Sequence, residues 1–257
     1  MAIRSEPLLL LTLWLFALPA AAFDHHYRDY AALLAESVRM QGHQSRVDYR
    51  RLVAEPGPLD RVTARMEQVP EEEFEGWDRD RQIAFLINAY NAFTLRLVRD
   101  HYPVDSIKAI GGLFRSPWKL EFFTLFGRPA NLDHIEHGLL RPRYHEPRIH
   151  FALVCAARGC PPLSDRPWLP ERLDAQLEEA ARRFLTDPQR NRYLPEENRL
   201  ELSPLFRWYR EDFEAAAGSV AAFVAPYLAE AEAERRRIET ATVRYLDYDW
   251  SLNELPR

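Results

Sequence analysis

Hydrophobic residues recur at helical spacing in the first half of the chain. Apolar positions three or four residues apart predict amphipathic helices over residues 27–38 and, after a Pro-Gly-Pro break, over residues 59–69. The strongest signal runs from about residue 78 to residue 99, where apolar side chains cover most of the helix circumference. Such a pattern predicts a helix largely buried in the core, ended by the His-Tyr-Pro of residues 101–103.

The pattern then becomes typical of strands. Residues 120–126 and 129–132 flank a Gly-Arg turn and predict a hairpin. Asp133, with Glu136 three positions later, is a variant of the capping box and predicts a short helix that reaches Arg141.

The second half of the chain mixes both periodicities. Residues 148–155 alternate and are mostly apolar, which predicts a central strand. The remaining predicted elements are helices over 170–185, 205–215 and 220–238, a hairpin over 192–194 and 199–202, and a closing strand over 242–248. Together they predict a single α+β domain whose helices pack on a mainly antiparallel sheet.

Length and composition fit this expectation. The 257 residues suffice for one ample core, and 47% hydrophobic with 28% charged residues indicates a folded chain. The formal net charge is −5 and no basic stripe is visible, so we predict no nucleic-acid partner.

The first residues have the features of a secretory signal peptide. Arg4 precedes an apolar run over residues 8–18, and three alanines at 20–22 match the small-residue cleavage pattern. The run is about half of the roughly 20 residues that a spanning helix needs, so we expect no stable membrane span. We predict a signal peptide over residues 1–22 and one exported domain, periplasmic or secreted, over residues 23–257.

Cleavage there would leave Phe23, Asp24 and His25 as a free amino terminus. A terminal amine, two backbone amides and an imidazole can surround Cu(II) in a square plane, which makes His25 a candidate metal ligand. The alternative is that histidines near a terminus are simply tolerated. We predict no other cofactor.

Asn88, Tyr90 and Asn91 lie within one turn of the most apolar helix. Asparagine is a poor helix former because its side chain competes for backbone hydrogen bonds, so two of them in one turn need a reason. Either they hydrogen-bond a neighbouring loop and fix the packing of the helix, or one amide orients a ligand or a catalytic histidine.

A second polar group follows in the predicted short helix. His134, His137 and Arg141 are three and four positions apart, so one helical face presents all three. This face could bind an anion or supply a general base near neutral pH. The alternative is an exposed polar face, with Ile135 and Leu139 turned inward.

The chain has two cysteines, Cys155 and Cys160. In an oxidising compartment, such a pair is more often a disulfide than two free thiols. A catalytic thiol would need a lowered pKa, which Arg158 or a nearby histidine could provide. The spacing matches neither a Cys-x-x-Cys redox motif nor a standard zinc pattern.

These polar stretches resemble the uncharacterised family known as domain of unknown function 547. The resemblance runs from about residue 83 to residue 163, with a weaker tail at 245–253. It rests on the run from Asn88 to Asn91, on Ile135-Glu136-His137 followed by Leu140-Arg141, and on His150-Phe151-Ala152-Leu153 leading to Cys155 and Cys160-Pro161. The family brings no established activity, although some members are joined to glutaredoxin-like domains, which implies thiol chemistry for those members.

Two classes of function remain open. A cysteine-dependent hydrolase or acyl transferase needs a thiolate, a histidine base and an orienting polar group. The candidates for these roles are Cys160 or Cys155, His137 or His150, and Glu136 or Asn91. The papain–transglutaminase architecture is one candidate for such a fold, but its nucleophile opens the buried helix, and this helix contains no cysteine.

The other class is a non-enzymatic domain that binds a small molecule or a peptide and carries a structural Cys155–Cys160 disulfide. Thiol–disulfide exchange is a further alternative. In either class we expect the polar residues to converge on one cleft, with Tyr90, Arg141 and Arg158 as additional ligand-binding candidates. The expected cleft residues are Asn88, Asn91, Glu136, His137, His150, Cys155 and Cys160.

Overall fold

The structure, a computed structural model, describes residues 22–112 and 115–256. The predicted signal peptide lies outside the described residues except for Ala22. The α-helices are α1 (Arg28–Ser37), α2 (Tyr49–Ala54), α3 (Gly57–Glu67), α4 (Glu71–Glu75), α5 (Arg79–His101), α6 (Arg141–Tyr144), α7 (Leu173–Leu185), α8 (Leu205–Trp208), α9 (Arg210–Ala217), α10 (Val220–Leu228) and α11 (Glu232–Glu239). The strands are β1 (Val38–Gln41), β2 (Gln44–Val47), β3 (Phe123–Leu125), β4 (Arg128–Ala130), β5 (Arg192–Leu194), β6 (Arg199–Leu202) and β7 (Thr242–Tyr245).

Helix α5 is the central element of the fold. Asp78 caps it by accepting a 2.9 Å hydrogen bond from the backbone N–H of Arg81. The helix ends at His101, before the Tyr102–Pro103 peptide bond. Side chains on all faces of its middle turns are buried, as the near-continuous apolar pattern predicts.

The strands form three small sheets. β1 pairs with β2 and β3 pairs with β4, both antiparallel. β5 pairs antiparallel with β6, and β7 adds to the other edge of β6 in parallel. The mixture of helices with small, mainly antiparallel sheets confirms the predicted α+β class. None of the described helices is long and apolar enough to cross a bilayer.

Two hydrophobic clusters make up the core. The first surrounds α5 and includes side chains of α1 and α3, whereas the second joins α7, β6 and α10. Residues 147–154 connect them, since Phe151 belongs to the second cluster and Leu153 to the first. This connecting segment therefore sits where the two clusters meet.

The predicted central strand over residues 148–155 is wrong. Pro147–Phe151 is a 3₁₀ helix, and the residues after it pair with a side chain instead of a strand. Asn91 donates a 2.9 Å hydrogen bond to the Ala152 carbonyl and accepts one of 3.0 Å from the Val154 N–H. Within the segment Phe151 packs into the second cluster, whereas Ile149, Ala152, Leu153 and Val154 pack into the first, so the apolar pattern reflects burial where the two clusters meet.

The predicted capping box is also wrong. Asn131, not Asp133, caps the turn, since its side-chain oxygen accepts a 2.8 Å hydrogen bond from the backbone N–H of His134. His134–Leu140 is a π-helix that continues into α6. π-helical turns are rare and are frequent at functional sites.

Other boundaries differ in detail. The helix predicted over 205–215 is divided into α8 and α9, and the one over 220–238 into α10 and α11. The closing strand ends at Tyr245, and the hairpin of β1 and β2 was not predicted.

Candidate functional site

A cleft of about 270 Å³ lies between the two hydrophobic clusters. Leu153 of the first cluster and Leu205 of the second both line it. Its other lining side chains form three groups, which are an aromatic wall, a polar floor and the two cysteines.

The aromatic wall consists of Trp118, Trp208, Tyr248 and Trp250. The ring centroids of Trp208 and Tyr248 are 4.8 Å apart, and those of Tyr248 and Trp250 are 4.6 Å apart. Trp208 is 42% exposed although it is a large apolar residue. Trp118, Tyr248 and Trp250 are partly buried. A partly exposed aromatic cluster at a concave surface is typical of an interaction site.

The polar floor centres on His150, whose side chain is 1% exposed. Its Nε2 lies 2.6 Å from Oδ2 of Asp212. Its Nδ1 lies 3.9 Å from Oε1 of Glu136 and has no hydrogen-bond partner among the described residues. Burial lowers the pKa of His150, against the opposing effect of the Asp212 hydrogen bond, so the imidazole is neutral at pH 7.

Asp212, on α9, fixes the tautomer of this imidazole. Arg141 donates two hydrogen bonds to its carboxylate, at 2.7 and 2.9 Å. Partial burial opposes ionisation, but the hydrogen bonds from His150 and Arg141 hold the pKa of Asp212 well below its ordinary value. An ionised carboxylate only accepts, so Nε2 of His150 carries the proton and Nδ1 presents a lone pair.

Glu136 is 4% exposed and lies on the π-helix between buried Ile135 and Leu140. Side-chain hydrogen bonds join its carboxylate to the phenols of Tyr90 and Tyr209. Burial raises the pKa of both phenols, and the negative charge of Glu136 raises them further. The floor thus places a buried carboxylate beside a buried neutral imidazole.

His137 lies at the open side of the floor and is exposed. Its Nδ1 is 2.9 Å from Nη1 of Arg141, and its Nε2 is 3.9 Å from a carboxylate oxygen of Asp133. His134 on the same helix is exposed and does not line the cleft. Of the three residues predicted to share one face, His137 and Arg141 contact each other, whereas His134 lies apart from the cleft.

Cys155 and Cys160 lie at disulfide distance, with their Cα atoms 6.0 Å apart. The half-buried Cys155 has its Sγ 3.1 Å from the Tyr248 hydroxyl. The buried Cys160 has its Sγ 2.7 Å from the backbone nitrogen of Cys155. Within the described residues, no histidine hydrogen-bonds to either sulfur.

Hydrogen bonds to other segments also hold the loop between the two cysteines. The backbone N–H groups of Arg158 and Gly159 donate 2.8 Å hydrogen bonds to the carbonyls of Ser251 and Asp249. Arg190 donates a further hydrogen bond to the Arg158 carbonyl. A Cβ at Gly159 would lie 3.0 Å from the ring of Tyr248, so glycine permits this close approach. The Arg158 side chain is exposed and does not line the cleft.

Asn88 and Asn91 lie outside the cleft and pair with backbone. Asn88 makes hydrogen bonds of 2.8 and 2.9 Å with the carbonyl and the N–H of Trp168. Asn91 makes its two with the segment between His150 and Cys155. The structure thus shows the packing alternative, in which Asn91 positions the backbone that carries two cleft residues.

Of the residues expected to converge, five line one cleft, namely Glu136, His137, His150, Cys155 and Cys160. Tyr90 and Arg141 contact this set without lining the cleft. Asp212 and most of the aromatic wall were missed. Trp208, Asp212, Tyr248 and Trp250 lie at least 48 residues beyond Cys160 in sequence, Trp118 lies 18 residues before Glu136, and no local pattern marks them.

The charged side chains that line the cleft are acidic. Asp133 and Glu136 line it, and no lysine or arginine does so within the described residues. The guanidinium of Arg141, which contacts His137, is paired with the Asp212 carboxylate. The lining therefore favours a cation over an anion.

The candidate copper ligand lies elsewhere. The ring of His25 packs edge-on against Trp77 at 4.4 Å, and its Nδ1 has no partner among the described residues. The backbone nitrogen of Phe23 donates a 3.1 Å hydrogen bond to Glu73. The described residues contain no group of three or more histidine, cysteine, aspartate or glutamate side chains that could hold a metal. Copper binding at a processed terminus stays a prediction.

Comparison with known proteins identifies one family. Residues 74–185 match the family described as "Protein of unknown function, DUF547", which confirms the resemblance read from the motifs. The matched range contains α5, the π-helix and both cysteines, whereas Asp212, Trp208, Tyr248 and Trp250 lie beyond it. No curated protein and no solved structure matches the chain significantly.

Proposed function

We propose that this chain, whose central region resembles a family of unknown function, is a ligand-binding domain that holds a small organic ligand or one side chain of a peptide. The ligand lies in the cleft between the aromatic wall and the polar floor. The Cys155–Cys160 pair closes one side of the cleft and stabilises its shape.

The single observation that carries the proposal is the free Nδ1 of His150. Buried polar atoms are almost always hydrogen-bonded, and leaving one unsatisfied costs about 1–3 kcal/mol. This atom is buried, belongs to a residue that lines the cleft and is held in place by the His150–Asp212 hydrogen bond, and it has no partner among the described residues. A donor from a bound ligand would satisfy it.

The thiol-hydrolase hypothesis receives less support from the same geometry. A nucleophilic cysteine needs a base within hydrogen-bond reach. Here the two sulfurs lie at disulfide distance from each other, and His150 is engaged with Asp212 through its Nε2. Acyl transfer would require a free thiol and a histidine base beside it, whereas ligand binding requires no rearrangement of these side chains.

The test is to titrate the protein with chemically varied probes and to monitor binding through its tryptophan fluorescence. The panel contains alkylamines, carboxylates, monosaccharides and blocked amino acids. We expect at least one class of probe to bind and change the fluorescence. Trp208→Ala should weaken the affinity for that class at least tenfold. Trp77→Phe, in the separate aromatic cluster near His25, is the matched control and should leave binding unchanged. If no class binds, or if Trp208→Ala has no effect on the class that does, the proposal fails.

A second function, thiol–disulfide exchange, is favoured by the asymmetry of the two sulfurs. Cys155 is half-buried at the cleft, whereas Cys160 is 5% exposed beneath it. An incoming thiolate would attack Sγ of Cys155 and form a mixed disulfide, and Cys160 would leave as a thiolate beside the Cys155 N–H. A second thiol of the reductant would then release Cys155 and be oxidised.

This second candidate has its own experiment. With Cys160→Ser, oxidised glutathione should form a stable mixed disulfide at Cys155, measured by intact mass. Cys155→Ser is the matched control, in which the buried Cys160 should react at least tenfold more slowly. Equal rates in the two variants would rule out an exchange site of this polarity.

A further inference from the structure

We infer that the ligand group recognised at the floor of the cleft is a primary ammonium, held between Oε1 of Glu136 and Nδ1 of His150. The inference rests on the proposed ligand-binding function and specifies its substrate class. Three independent features of the cleft support it.

The first feature is the pairing of acceptors. Glu136 and His150 both line the cleft, and Oε1 of Glu136 is 3.9 Å from the buried Nδ1 of His150. Because the ring proton of His150 is on Nε2, facing Asp212, both atoms can only accept. A primary ammonium carries three donors and no acceptor, so it can bond to both at once. A hydroxyl has one proton to donate, and a carboxylate has none.

The second feature is the charge of the lining. Two carboxylates, Asp133 and Glu136, face the cleft, while its described lining has no lysine or arginine. The charge of Arg141 is taken up by Asp212, which accepts two of its hydrogen bonds. The lining carboxylates therefore attract a cation that enters the cleft and repel an anion.

The third feature is the aromatic wall. Ring faces attract ammonium groups and pack against the alkyl chain attached to them. The ammonium of Lys108 already lies 4.7 Å from the ring centroid of Trp250, although Lys108 does not line the cleft. A volume of about 270 Å³ is below the usual range for drug-sized ligands, and it suits a short alkylamine or one lysine side chain.

The experiment is calorimetric titration of the full-length protein with three matched probes. n-Butylammonium supplies charge and donors, butyltrimethylammonium supplies charge without N–H donors, and n-butanol supplies neither the charge nor more than one donor. We expect butylammonium to bind at least tenfold more tightly than either analogue. Nα-acetyl-lysine amide, which keeps its side-chain ammonium, is a fourth probe. It distinguishes a peptide side chain from a free amine as the natural source.

Variants locate the site. Glu136→Gln keeps the shape and removes the charge, and it should weaken butylammonium binding at least tenfold while leaving butanol unchanged. Glu201→Gln is the matched control, since Glu201 is equally buried at 4% but lies outside the cleft. If Glu136→Gln does not fold, Asp133→Asn at the half-exposed rim should weaken butylammonium binding at least twofold.

The outcomes separate this inference from the function on which it rests. Equal binding of butylammonium and butyltrimethylammonium would overturn the two-acceptor site, and equal binding of butanol would overturn cation recognition. Binding of sugars or carboxylates without amines would also overturn the inference while leaving the ligand-binding function intact. If no probe of any class binds, both proposals fall.

Discussion

Replacing Asp212 by asparagine removes the charge that joins three elements of the site. The carboxylate accepts two hydrogen bonds from Arg141, at 2.7 and 2.9 Å, and lies 2.6 Å from Nε2 of His150. In the variant, Arg141 loses its counter-charge and His150 loses the group that fixes its tautomer. Arg141 and His150 stay in place, but the uncharged asparagine amide accepts their hydrogen bonds less strongly than the carboxylate does.

The magnitude follows from burial. Hydrogen bonds to charged groups contribute about 1.5–3 kcal/mol each, and the total here is reduced because the Asp212 side chain is 26% exposed. We expect Asp212→Asn to lower the free energy of unfolding by about 2–4 kcal/mol. For a domain of this size, that corresponds to a fall in Tm of roughly 5–15 °C.

The assay is urea unfolding at pH 7, followed by far-ultraviolet circular dichroism. Asp174→Asn is the control, because Asp174 also pairs with an arginine at 2.8 Å but its side chain is 88% exposed. An exposed pair of this kind contributes at most about 1 kcal/mol. If the two variants are destabilised equally, the network at the floor of the cleft does not have the energetic role assigned to it.

Three further predictions follow from the described contacts. Burial lowers the pKa of His150, so the unfolded chain takes up a proton below about pH 6.5 that the folded chain does not. Unfolding measured at pH 7.5 and 5.5 should therefore show a larger loss of stability in the wild type than in His150→Gln; equal losses would contradict this. Reducing Cys155–Cys160 should cost about 2 kcal/mol, and no more, in the same assay. The intact mass of exported protein should correspond to a chain that begins at Phe23. This processed protein should bind copper more tightly than its His25→Ala variant does.

The helical core could be predicted from sequence because its signal is local. In α5, apolar side chains around most of the circumference of the middle turns indicate a buried helix, and Asp78 before it supplies the cap that the structure shows. The hairpin of β5 and β6 is likewise contained within eleven residues. Each of these elements forms from side chains that are neighbours along the chain.

The segment 148–155 could not be assigned in this way. Its alternation has the period of a strand, but Pro147–Phe151 is a 3₁₀ helix in which Phe151 is buried in the second cluster and Ile149 in the first. The bonds that a strand would make are supplied instead by Asn91, about 60 residues earlier. Sequence pattern marked Asn91 as unusual without revealing what it bonds.

The candidate site was partly predictable for the same reason. Glu136, His150 and the cysteines stand out as polar or reactive residues within apolar stretches. Asp212 lies among other charged residues in Arg210–Ala217, where an aspartate is ordinary. Its role depends on a contact with His150 across 62 positions, which only the fold creates.

The most direct test of the account is the protonation of His150 observed by ¹⁵N nuclear magnetic resonance of the imidazole at pH 7. The account predicts a neutral ring with the proton on Nε2 and an unprotonated Nδ1 whose resonance shifts when n-butylammonium is added but not when n-butanol is added. A proton on Nδ1, a charged imidazolium, or an Nδ1 resonance that no ligand moves would contradict it.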